Sequence, residues 1–423
     1  MRRITALFLA PALATLATLA TAQTVHVVDA SGSGDFTSIQ AAVNAAAAGD
    51  TLLIKGGSYG RTVINGKGLT VVAEKGQQVQ VIGGVSVRNL AASEVVALVR
   101  LRLQGRHWAG TDAEQGLEVD GCDGPVRVDR CTIKGDKGGF FSGSSDHGGI
   151  GVQVRASSDV ALVGCTVRGG HSGWAWSCGD GWDQRAGHGL VVKEGSLVTL
   201  HDCSVIAGDA INHSLDEIEC GGQQGHGAWV TSSYLYGAGT RLQGGQGGSE
   251  GLCLISFPGG DGLRLEGSSA HADLLAMTLV GGPSSPCGDP PGQSLRLLSG
   301  ATANFLAGSM RALEVKSPAR AGAEVRFRVT GLPGELALVT VSPGAAWRNR
   351  IPWQSGPWMG RGPAHVIPLG TIPGSGVLTR FLDVPPIGSG LDSQTCFVQV
   401  LVLGSGQSWL GSHGTLVVLD AQF

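Results

Sequence analysis

The chain has 423 residues, 70 of them glycine, with 5% aromatic and 15% charged residues and a formal net charge of −3. That length allows two domains of ordinary size. The glycines follow no collagen-like period and no long polar tract is present, which argues against a triple helix and a disordered chain; the lack of a basic stripe with interleaved aromatics argues against a nucleic-acid partner.

The first elements are a basic pair and an apolar run. Arg2 and Arg3 precede apolar residues 4–20, and Ala20-Thr21-Ala22 is a small-x-small site. This pattern predicts a signal peptide over 1–22, too short to span a bilayer, and hence a secreted or cell-surface protein with no transmembrane segment after cleavage. Export permits disulfides, and nine cysteines leave at least one without an internal partner. Residues 24–311 hold 20 Lys+Arg against 27 Asp+Glu, a net of −7; residues 312–423 hold 8 against 6, a net of +2. The acidic part would repel polyanions unless a cation intervened.

Next comes a cap. Phe36, Ile39, Ala42 and Val43 predict a short amphipathic helix, with Asp35 or Thr37 as its N-cap, followed by a strand over 51–55. Such a helix would cover an otherwise unpaired sheet edge. The run Gly34-Asp35-Phe36-Thr37-Ser38-Ile39-Gln40-Ala41-Ala42-Val43, followed by Gly49-Asp50-Thr51, resembles the opening of the pectin methylesterase and pectate lyase-like β-helix families. The resemblance covers residues 27–76 and continues more weakly through the repeats to residue 310; it implies a cap and a fold. The pectin methylesterase motifs Gly-Tyr-Gln-Asp-Thr-Leu and Asp-Phe-Ile-Phe-Gly are absent, so no catalytic residue is carried over from that family. Gly208-Asp209-Ala210 and Gly225-His226-Gly227 echo the Asp pair and Gly-His-Gly of polygalacturonases. However, Ala210 stands where a second aspartate should be, and no Arg-Ile-Lys is present.

A repeat follows. Val126, Val128, Cys131 and Ile133 are spaced two, three and two residues apart; Val160, Leu162, Cys165 and Val167 share this spacing, as do Val198, Leu200, Cys203 and Val205. Looser copies begin at Val96, Leu235 and Ala272. Two-residue spacing is a strand with one buried face, and the three-residue step is a bend between two such strands. Another alternating strand precedes each copy, as at Leu117/Val119 and Leu190/Val192. The third positions, 101, 131, 165, 203, 240 and 277, lie 30, 34, 38, 37 and 37 residues apart, as a constant unit with variable loops would give. Such units bury their apolar faces only by stacking, which predicts a right-handed parallel β-helix with Cys131, Cys165 and Cys203 as an inward ladder. Gly-x-Gly triplets centred on Ile150, His188, His226 and Asp261 precede the coils, where glycine relieves crowding as a loop re-enters the stack. His188 and His226 should therefore share a column.

The long insertions, such as 134–150, 168–188 and 206–226, all leave after a coil's last inward residue and should stack on one face, the usual place for binding. Trp108, Trp174, Trp176 and Trp182 offer aromatic surface for sugar rings, with His188 beside them as a substrate-binding candidate. Asp180, Asp183, Asp209 and His226 are the catalytic candidates, because paired carboxylates can cleave a glycosidic bond. Carboxylates can instead hold Ca2+, and a lyase would need Ca2+ or a basic group to neutralise a uronate; Lys134, Lys137, Arg168 and Arg185 are nearby cations. Cys178 with Cys220, and Cys253 with Cys287, lie in adjacent loops and are expected to form disulfides.

Alternating strands over 324–329, 336–341, 366–369, 377–384, 397–403 and 415–419 predict a β-sandwich at 312–423. Trp347, Trp353, Trp358 and Trp409 are either a binding patch or packing, and the module could attach the helix to a surface, bind glycans or cap its open end. The whole reads as an all-β protein: a right-handed parallel β-helix with an N-terminal helical cap over 23–311, followed by a C-terminal β-sandwich. The expected function is a monomer that binds, and in one reading cleaves, an extracellular polysaccharide on its loop face. The alternative is a non-catalytic surface or adhesion protein.

Overall fold

A computed structural model describes residues 23–106, 114–138, 147–172, 185–210, 223–248, 256–348, 357–362, 364–404 and 406–423. The chain is all-β, and its first part is a parallel β-helix. Three parallel sheets of ten, eight and eight strands run along one axis. Sheet I contains strands such as Val126–Asp129 and Val160–Val163; sheet II contains Thr132–Lys134 and Thr166–Arg168; sheet III contains Leu117–Asp120 and Val152–Arg155. Each coil visits III, I and II in turn, and the register is unbroken: Val128 pairs with Leu162, and Leu162 with Leu200. The inward residues Leu98, Val128, Leu162, Leu200, Ile133, Val167 and Val205 form one core with the three cysteines. Cys131, Cys165 and Cys203 are all free and buried, and each thiol donates to a backbone carbonyl of the preceding coil, Leu98, Val128 and Leu162. Beyond Cys203 the column continues as Thr240 and Met277, which also pack. Thr240 accepts the Cys203 amide hydrogen, and Gly237 leaves the space that Met277 fills, since a Cβ there would sit 2.7 Å from the Met277 methyl.

The solenoid begins earlier than the repeat pattern indicates. Leu52 pairs with Val71, and Val71 with Leu98, so two coils of 19 and 27 residues precede the recognisable copies. They lack the long insertions, and their inward residues, Val71 and Ala73 and then Val79 and Val81, do not keep the three-residue step, which is why the spacing rule does not find them. The cap is helix α1 (Ile39–Ala45), which buries Ile39, Ala42 and Val43. Its N-cap is Ser38, whose hydroxyl accepts the Ala41 amide hydrogen, and not Asp35 or Thr37. The Asp35 carboxylate instead accepts from Val27. Gln40 accepts the Val63 amide hydrogen and donates to the Val63 carbonyl, so one side-chain amide closes the free edge of sheet III.

The C-terminal strands form a three-stranded and a five-stranded sheet packed around Phe327, Val339, Val398 and Val418, as expected of a sandwich. This module does not cap the solenoid's far end, where inward-facing Leu297 and Phe305 stay 45% and 67% exposed. It lies along the outer side of sheet I. Val25, Leu53, Val72 and Val99 pack on Val417 and Leu419, and Thr70 and Thr51 bond Thr395 and Ser393. The module's three described tryptophans do not gather into a patch. Trp409 is in the sandwich core under the Arg311 guanidinium, Trp347 meets Tyr234 of the solenoid, Trp358 is half-buried in a short hairpin, and Trp353 lies outside the described residues. Among the described residues no helix is long and apolar enough to cross a membrane.

Candidate functional site

The insertions do leave at one corner, between sheets II and III, and their bases stack. At each base the outgoing and returning legs alternate along the axis. Gly149 accepts from Gly170, Gly170 from Gly187, and Gly187 from Gly208; a second run follows, in which Gly225 accepts from Gly245, Gly245 from Gly260, Gly260 from Gly282 and Gly282 from Gly292. Neighbouring backbones approach so closely that a side chain has no room. A Cβ on Gly170 would stand 1.6 Å from the Asp136 carbonyl oxygen, and one on Gly208 1.8 Å from that of Gly170. Much of the glycine content is thus explained by a two-legged ladder that carries the loops.

Side chains reinforce the ladder by one rule: an acceptor in one coil receives the amide of the equivalent residue in the next. His188 Nδ1 accepts from His226 N–H at 2.9 Å, His226 Nδ1 from Asp261 N–H at 2.9 Å, and Asp261 Oδ1 from Gln293 N–H at 3.0 Å. The His188 and His226 rings stack with centroids 5.2 Å apart and planes 6° apart, so the expected column exists. An amide hydrogen on Nδ1 places each ring's own hydrogen on Nε2 and keeps it neutral. Burial, with Arg185 and Arg264 nearby, pushes His188 down to about 4. Burial, with His188, Arg264 and Arg296, pushes His226 down to about 2. The 3.5 Å approach of His226 Nδ1 to the Asp261 carboxylate is therefore no ion pair.

A second column is open to solvent. His171 Nδ1 accepts from Asp209 N–H at 3.1 Å, and Asp209 Oδ1 accepts from Gln246 N–H at 2.9 Å. The other Asp209 oxygen is 3.6 Å from His171 and 3.9 Å from Arg168, and all three side chains are exposed. His147 Nδ1 likewise accepts from Arg185 N–H. Of the candidates read from the sequence, His188, His226 and Asp209 stand at the loop bases. Asp180, Asp183, Trp108, Trp174, Trp176 and Trp182 lie outside the described residues. So do Cys178, Cys220 and Cys253; Cys287 is disulfide-bonded. Among the described residues no group of three His, Cys, Asp or Glu could hold a metal ion.

The outer side of sheet II carries a feature that no motif or spacing in the sequence marks. Two outward columns run the length of that sheet: Gln80, Arg102, Thr132, Thr166, Ser204, Arg241 and Thr278, and beside them Ile82, Gln104, Lys134, Arg168, Ile206, Gln243 and Val280. They hold four cations and no carboxylate, and Arg102, Lys134, Arg168 and Arg241 are exposed. In a solenoid with a net charge of −7 this strip is locally positive, and it ends at the corner where Asp209 and His171 stand. The signal was present as the residues flanking Leu103, Ile133, Val167 and Leu242, but only strand register brings them into one stripe.

No family model matches this chain, and no curated protein matches it. Sixteen solved chains match. A crystal structure of pectate lyase Pel9A shares 12% identity over 61% of this chain and 69% of its own, with a TM-score of 0.24. The superoxide reductase (neelaredoxin) from Ignicoccus hospitalis shares 13% identity over 26% of this chain and 80% of its own, with a TM-score of 0.16. Likenesses this slight carry no argument about activity.

Proposed function

We propose that the chain is an exported protein that binds an anionic polysaccharide along the outer side of sheet II and the adjoining loop bases. One observation carries this: the sheet's two outward columns bear Arg102, Lys134, Arg168 and Arg241 with no carboxylate among them. Coils follow one another at about 4.8 Å, so the cations recur along the axis on the length scale of a linear glycan. The intervening Thr132, Thr166, Ser204, Gln104 and Gln243 offer hydroxyls and amides to sugar hydroxyls. Export is supported by Arg2, Arg3 and the apolar run that follows.

In this reading His226 serves the ladder: its Nδ1 accepts the Asp261 amide hydrogen, and burial lowers its pKa. Asp209, exposed beside Arg168 and His171, is the described carboxylate best placed to meet a bound chain.

Binding to acidic and neutral glycans at several salt concentrations tests the proposal. Exposed ion pairs are each worth up to about 1 kcal/mol, so Lys134→Glu with Arg168→Glu should weaken acidic-glycan binding roughly tenfold or more. Salt should weaken the unsubstituted protein in the same direction. Equal binding of neutral glycans, or indifference to the charge reversal, would overturn it. Product analysis with and without EDTA then separates a Ca2+-dependent lyase or a hydrolase from a protein that only adheres.

A further inference from the structure

Away from the loop face, two histidines meet where the sandwich lies on the solenoid. His201 is on the outward side of Leu197–His201 in sheet I, and His413 is on Ser408–Leu419 of the sandwich. They are 1% and 2% exposed, and their rings meet edge-on with centroids 5.2 Å apart. Neither nitrogen of either ring has a hydrogen-bond partner among the described residues. A neutral imidazole brings one donor and one acceptor into such a place; a protonated one brings two donors and a charge.

The surroundings offer no counter-ion to this pair. Within sheet I, Val163 and Ala238 flank His201 in register, and the Tyr236 ring lies 5.5 Å from it, its hydroxyl pushed up by burial. Thr199 lies one outward position along the same strand. In the sandwich, Gln399 stands opposite His413. The charged groups on this side include Arg127, Asp159 and Asp129, and Arg130, Asp202, Glu314 and Arg328 line a cavity beside Ser412 without bonding either ring. Arg127 and Asp159 are bound to each other at 2.7 Å, and Asp129 accepts the Thr415 amide hydrogen. Burial pushes His201 down to about 3; burial, His201 and Arg127 hold His413 well below its ordinary value.

We propose that the His201–His413 pair is an acid-released latch, whose protonation parts the sandwich from sheet I and uncovers the solenoid face that the sandwich masks. The sign follows from linkage. Both rings are neutral while the contact is closed and titrate near 6.5 once it opens, so the closed state is favoured fully above that pH and loses ground as pH falls towards the depressed values. Two protons taken up on opening raise the opening constant about a hundredfold per pH unit. Asp129 acts in the opposite sense: burial raises its pKa, so acid neutralises it and favours the closed form.

Hydrogen exchange on the full chain reads this directly. The Thr415 amide donates to Asp129 and the Trp347 amide to Asp159, both across the contact. After correction for intrinsic rates, their opening should rise about a hundredfold per pH unit between pH 6 and 4, while amides of Val160–Val163 stay protected. His413→Phe should reduce the slope to about tenfold, and His201→Phe with His413→Phe should remove the acid-driven opening and leave only the opposite pH dependence of Asp129. A double variant with the original slope, or an opening constant in the unsubstituted protein that does not change with pH, overturns the proposal. If the double variant does not fold, ring nitrogen shifts of the unsubstituted protein decide: an imidazole protonated at pH 5 while Thr415 remains protected also overturns it.

Discussion

His226 is the residue whose meaning the structure changes most. Flanked by glycines it invites a chemical role, yet its Nδ1 holds the Asp261 amide of the next coil. The same place one coil on is filled by Asp261, whose Oδ1 holds Gln293 in the same way. In these coils the position holds an acceptor that need not be an imidazole, and Ile150 fills the same place in an earlier coil. His226→Asn should keep stability and glycan binding, whereas His226→Phe leaves a buried amide unpaired and should cost about 1–3 kcal/mol in urea unfolding. Loss of glycan turnover in His226→Asn at unchanged stability would instead show a chemical role.

Among the elements, the strands of sheet I differ from the rest. Sheet III strands such as Leu117–Asp120 alternate, and sheet II strands such as Thr166–Arg168 expose both flanks of one inward residue. Thr51–Ile54, Thr70–Ala73 and Val96–Val99 are buried throughout, as strands covered on both faces must be. The cover is the sandwich, and further along it encloses charge: Arg127 binds Asp159 through two 2.7–2.8 Å hydrogen bonds, and Asp159 also holds the Trp347 amide. Removing one member of a buried pair strands the other, so Asp159→Ala should lower unfolding free energy by about 3–5 kcal/mol. A loss below about 1 kcal/mol would mean that water reaches this contact.

At the scale of the molecule, solenoid and sandwich are interdependent. The solenoid's N-terminal end is closed by α1, its corner is braced by the glycine ladder, and one of its three sides is an apolar surface hidden under Val417 and Leu419. A chain ending at residue 307 should therefore expose Val25, Leu53, Val72 and Val99 as a contiguous patch and self-associate on gel filtration. A monodisperse truncated solenoid would show that the sandwich is not needed as a cover.

The coil, the inward cysteines, the shared histidine column and the corner from which loops depart were legible in the sequence, because strand periodicity and steric crowding act over a few residues and repeat. The two short coils before Val96 were not, because their spacing differs. The basic stripe of sheet II and the placement of the sandwich were decided only in three dimensions. Arg102, Lys134, Arg168 and Arg241 are scattered in sequence and share a face through register alone. His201 and His413 meet only because two separately folded β-structures press their buried faces together.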